Sequence, residues 1–138
     1  MLKNLFALMV ISLLTMSSLH AAGQGTPFLI TGKMPHYTGI IKANWEDTRL
    51  NLTQEQKTKL VEVRKNTLNV VFAVKKKLAP LEQEVALKIL SGSTPKELST
   101  LVNKIAKYKI EATTAHLQCI YDTQEILSKE QLDLLGEL

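Results

Sequence analysis

The chain has 138 residues, of which 45% are hydrophobic, and carries 17 Lys and Arg against 13 Asp and Glu, a formal net charge of +4. That length argues for a single domain, and one Cys excludes a scaffold of internal disulfides. Three Phe, three Tyr and one Trp, with no alternating run of β-branched residues, argue against an all-β fold.

Residues 1–22 (MLKNLFALMVISLLTMSSLHAA) read as a secretory signal peptide. Lys3 supplies the positive start, Leu5–Met16 the apolar stretch, and Ser17–Ala22 a small-residue exit with cleavage expected after Ala21 or Ala22. The apolar stretch is shorter than the roughly 20 residues of a membrane span and is broken by Ser12 and Thr15. Export is the consequence, with no membrane-embedded part after cleavage. Residues 23–36 (GQGTPFLITGKMPH) read as a flexible or extended leader because Gly, Pro and Thr dominate them.

Residues 37–138 read as all-α. Tyr37–Arg49 is expected as a short helix with Ile41 and Trp45 on one face. Thr53-Gln54-Glu55-Gln56 is a capping box that starts a long helix. Leu60, Val63, Val70, Val74, Leu78, Leu81, Val85 and Ile89, with Thr67 filling the gap, then recur in threes and fours to Leu90, roughly 55 Å of helix. Pro80 falls inside this stripe without breaking its register, so one kinked helix is expected. Gly92 is placed as a left-handed terminator. Thr94-Pro95-Lys96-Glu97 is a second capping box, opening a stripe of Leu98, Leu101, Ile105, Tyr108, Ala112, Ala115, Cys119 and Ile126. Ser128-Lys129-Glu130-Gln131 is a third, for a short last helix. The elements make a long antiparallel helical hairpin with short flanking helices. One layer of two helices cannot cover apolar residues on several faces, and Val61, Leu68, Val71, Phe72, Leu87, Leu90, Val102, Leu117 and Ile120 lie off the two stripes. A second copy or a client protein is expected to cover them.

Leu52-Thr53-Gln54-Glu55-Gln56 resembles the first LTxxQ motif of the Spy/CpxP family of periplasmic proteins. Leu127-Ser128-Lys129-Glu130-Gln131 resembles the second, with Ser for Thr. The motif residues are thus Leu52, Thr53, Gln56, Leu127, Ser128 and Gln131, and the likeness spans about residues 45–135. The resemblance implies a cradle-shaped antiparallel homodimer. It also implies an ATP-independent chaperone that binds unfolded or aggregation-prone proteins in envelope stress. Alternatives within the same architecture are a metal-sensing or metal-binding accessory protein and a regulatory partner of a sensor kinase. Two features depart from the family pattern: no Met- or His-rich tail is present, and Pro80 sits inside the first long helix.

Residues 57–77 carry a net charge of +6 and residues 111–138 a net of −5, an asymmetry suited to antiparallel pairing. Arg64, Lys65, Leu68, Val71, Phe72, Lys75 and Lys76 are the candidate client-binding surface, cations beside an apolar floor. Export and the lack of interleaved aromatics argue against nucleic acid as a partner. His116 and Cys119 lie three apart on one helix face and could meet a transition metal such as zinc or copper, with Met34 and His36 as a second soft pair. The bland alternative is a small core cysteine with His116 at its edge. A disulfide between two chains through Cys119 is a third option. No cofactor is otherwise expected. Catalysis is not expected either: there is no phosphate-binding Gly loop, HExxH, CxxC or nucleophile elbow.

Overall fold

The computed structural model describes residues 25–138, so the expected signal peptide lies outside the described residues. These residues form four helices and no strand. Helix α1 spans Tyr37–Ala43, α2 Gln54–Leu90, α3 Pro95–Ile126 and α4 Lys129–Leu135, with a 3-10 turn at Thr48–Leu50 before α2. Among the described residues no helix is long and apolar enough to cross a membrane.

All three capping boxes form. Thr53, Thr94 and Ser128 each accept from the backbone N–H three residues on, and the side chains of Gln56, Glu97 and Gln131 each accept the N–H of their cap. The turn between the long helices closes on Gly92. Its φ of +96° is the left-handed region that side chains avoid. The Gly92 N–H donates to Ile89 and the Ser93 N–H to Lys88, the paired bonds that satisfy the last carbonyls of α2.

α2 and α3 pack along their length. Gln56 at the start of α2 reaches Ile126 at the end of α3, and Lys109 pairs with Glu82 at 3.0 Å near the middle. Two apolar clusters result. Ile41, Leu50, Leu60, Leu127 and Leu135 gather where α1, α4 and the two open ends meet. Val71, Val74, Leu78 and Ala112 gather farther along, joined by Phe28 from the leader. Full burial of each large side chain contributes roughly 1.5–3 kcal/mol.

The first short helix is shorter than its expected Tyr37–Arg49 span. The Asn44 side chain donates to the Ile40 carbonyl, and Asp47 turns back to accept the Arg49 N–H, so local side-chain bonds compete with helix continuation. Trp45 therefore lies outside α1 yet still packs on the Ile41 cluster. The buried stripe of α2 is also shifted. Val71 is buried, while Val63 and Val70 are half-buried. Residues 25–36 explain the shift. They have no helix or strand, but they lie against the long helices and cover Val71 from the side. Leu68 and Ile120 are half-buried. The remaining apolar residues expected off the stripes, Val61, Phe72, Leu87, Leu90, Val102 and Leu117, are exposed.

α2 runs unbroken through Pro80, whose side chain is exposed. The ring removes one helical N–H and crowds the carbonyl four residues back, a cost of about 3 kcal/mol in a helix interior. Relief of the proline restriction on the unfolded chain offsets up to about 1 kcal/mol of the gain from replacing it. Pro80→Ala is therefore expected to raise unfolding free energy by about 2 kcal/mol in urea denaturation. An unchanged midpoint would contradict an unbroken helix at this position.

Candidate functional site

Three features carry the chemistry of the described residues: a clasp between two glutamines, a leader fastened over a buried histidine, and an apolar groove edged with cations.

The clasp joins the two LTxxQ-like motifs. The Gln56 amide donates to the Ile126 carbonyl at 3.0 Å and to Gln131 Oε1 at 2.9 Å. The Gln131 amide donates to the Leu50 carbonyl at 2.8 Å and back to Gln56 Oε1 at 3.2 Å. Each Oε1 also accepts its own cap N–H, from Thr53 and Ser128 respectively. Every donor and acceptor of both amides is thus used. Leu52 packs against the cluster that contains Leu127, directly behind the clasp. A carboxylate at either position could still cap its helix but could not donate. Glu97 illustrates the contrast: it completes the Thr94 box at the turn between α2 and α3, and its recorded bonds are only to Thr94. Those bonds, backbone first, hold its carboxyl below the usual range.

The motif residues expected from sequence are therefore brought together, as a structural joint. Their pairing across 75 residues was missed at the level of sequence. The signal was present in the choice of Gln, not Glu, at the last position of two boxes out of three. Gln131→Glu should cost about 1–3 kcal/mol in chemical denaturation, because two acceptors lose their donor. Glu97→Gln should stay within about 0.5 kcal/mol. Equal effects of the two substitutions would contradict the clasp.

The four candidate metal residues lie near one another. His36 stacks on His116 with ring centroids 4.6 Å apart and planes 14° from parallel. Cys119 and His116 border one cleft, and Met34, His36 and His116 border a smaller cavity next to it. Imidazole lone pairs lie in the ring plane, so two stacked parallel rings aim theirs side by side and do not converge on one ion. Among the described residues no group of three or more His, Cys, Asp or Glu could hold a metal ion. The Cys119 thiol is buried against the Thr38 hydroxyl at 3.7 Å. A disulfide to another chain would require this packing to open.

His116 is not at the edge of the stripe; it is only 5% exposed. The leader covers it. Its Nε2–H donates to the Pro35 carbonyl at 3.2 Å, which leaves Nδ1 as the unprotonated nitrogen. That Nδ1 is buried with no partner. Burial, followed by the neighbouring His36, holds the His116 pKa below its ordinary 6.5, and the Pro35 bond opposes this weakly. Arg64 and Lys75 border the same cleft, which has no carboxylate in its lining. The sign follows from the depressed value. The exposed imidazole takes a proton near pH 6.5 while the covered one resists it, so the folded state is favoured fully above that pH and loses stability below it. Unfolding free energy should therefore fall between pH 7 and pH 5, and His116→Gln should flatten that slope. A slope unchanged in the variant would contradict the assignment.

The groove is an open cleft of about 700 Å³ between α1 and α2. Ile41, Trp45, Leu60, Val61, Leu68 and Phe72 form its apolar walls, and Lys42, Arg64 and Lys65 stand at its edge. Val61 and Phe72 are each 56% exposed. No ion pair engages Lys42, Arg64 or Lys65 among the described residues. Of the expected client surface, Arg64, Lys65, Leu68 and Phe72 share this groove. Val71 is buried behind it, and Lys75 and Lys76 lie farther along α2, beside the leader. Sequence reasoning missed Trp45 and Ile41 as its opposite wall, because α1 folds back over α2.

No family model, curated protein or solved structure matches this chain.

Proposed function

We propose that this is an exported, periplasmic, ATP-independent chaperone-like protein that holds apolar segments of unfolded proteins in the groove between α1 and α2. The observation that carries the reading is the pairing of exposed Val61 and Phe72 with the unpaired cations Arg64 and Lys65 on one open cleft. Side chains of this size exposed together are costly to leave in water and mark a contact surface. Charges at the edge draw a partner over a longer range than apolar contact can, and apolar contact then holds without demanding a particular sequence.

The two long helices act in this reading as an antiparallel hairpin, and two copies form the cradle. Leu87, Leu90 and Val102 are exposed near the turn between the long helices, with Leu90 at 86%, which gives the second copy an apolar surface to cover. The basic stretch 57–77 and the acidic stretch 111–138 favour pairing of opposite ends.

Light scattering of an unfolding client, without nucleotide, tests the proposal. The protein should suppress aggregation at near-stoichiometric amounts. Val61→Ser with Phe72→Ser should weaken suppression several-fold, and Arg64→Glu with Lys65→Glu should slow capture, most visibly at low salt. No suppression by the intact protein at a several-fold excess would overturn it.

A further inference from the structure

The leader lies on the molecule as a loop that doubles back: Phe28 and His36 both meet the His116 ring, and Gly32 between them has a left-handed φ of +67°. Pro27 is buried and Phe28 packs on the Val71, Val74 and Leu78 cluster. The Leu29 N–H donates to Thr113 Oγ1 at 2.9 Å, and the Pro35 carbonyl accepts from His116 at 3.2 Å. Phe28, the His36 ring stacked on His116 and two backbone bonds fasten it. Neither bond depends on the identity of the leader's side chains, because one uses its amide and the other its carbonyl. Leu29 and Ile30 point outward, 54% and 45% exposed. The fit is imperfect, since His116 Nδ1 stays buried without a donor. The cleft under the leader is also continuous with the open groove: Thr38, Arg64, Leu68 and Phe72 border both.

We propose that the cleft filled by residues 25–36 is a binding site for an apolar peptide segment, with the leader as its built-in competitor. Thr113 and His116 read the backbone of the incoming chain, and the Val71, Val74 and Leu78 surface takes an aromatic or similar apolar side chain. Displacement of the leader joins this cleft to the groove beside it, so a longer stretch of client is held. The inference deepens the chaperone reading by naming the client's chemistry, and it rests on that reading for its biological use.

A fluorescently labelled synthetic peptide copying residues 25–36 is the probe. Fluorescence anisotropy should show weak binding to the unmodified protein, where the tethered leader competes. Phe28→Ala loosens the leader without altering the cleft, and binding should tighten about tenfold, the ratio set by loss of the competing anchor. His36→Ala, at an exposed position, should act in the same direction and serves if Phe28→Ala does not fold. Adding Thr113→Val to either variant should reverse the gain. Binding no tighter in the folded variants than in the unmodified protein would overturn the inference, as would a gain that survives Thr113→Val. Aggregation suppression measured on the same samples separates the two claims: suppression without peptide binding sinks only the leader's role, and peptide binding without suppression sinks only the chaperone role.

Discussion

Two helices packed side by side share one interface, and this chain has more apolar surface than one interface can bury. Val74 and Leu78 from α2 meet Ala112 from α3 within it. Val61 and Phe72 lie on another face of α2 and remain open. The rest of the structure is a partial answer to that excess. α1 covers one end, the leader covers the middle, and the groove is left uncovered, as are Leu87 and Leu90 near the turn.

The elements that do the covering are held by few bonds, of different kinds. At the open ends of the long helices, α1, α4 and the 3-10 turn converge on the Ile41 and Leu50 cluster, locked by the Gln56 and Gln131 amides. That joint is fully satisfied and gives nothing to a partner. In the middle, the leader rests on Phe28, Thr113 and His116, with a polar atom left unpaired. A satisfied buried network rigidifies its surroundings, and an unpaired buried polar group is costly to keep. The satisfied joint and the imperfect cover therefore lie at different points along the same helices.

Much of the fold was legible because its signals are local. Thr53, Thr94 and Ser128 mark helix starts by chemistry confined to four residues, and Gly92 marks the turn through its backbone freedom alone. Stripe arithmetic gave the shared face of the long helices. It failed at Val71 and His116, because a segment with no periodicity of its own folds over them. The candidate site was legible in part. Arg64, Lys65, Leu68 and Phe72 share a helix face and could be grouped from spacing. Trp45 and Ile41 could not, since their place opposite depends on a chain reversal at Asn44–Asp47 set by side-chain bonds. The stacking of His36 on His116 likewise depends on the path of the leader, which spacing along the chain does not carry.

The proposed function depends on the open groove as a working surface. Trp45 is the only tryptophan of the chain and lines that groove, with the Lys57 ammonium 5.6 Å from its ring. Titration with a tryptophan-free unfolded protein should therefore shift Trp45 emission to the blue and shield it from aqueous quenchers, in proportion to the client bound. Client that binds while Trp45 emission and quenching stay unchanged would contradict the account.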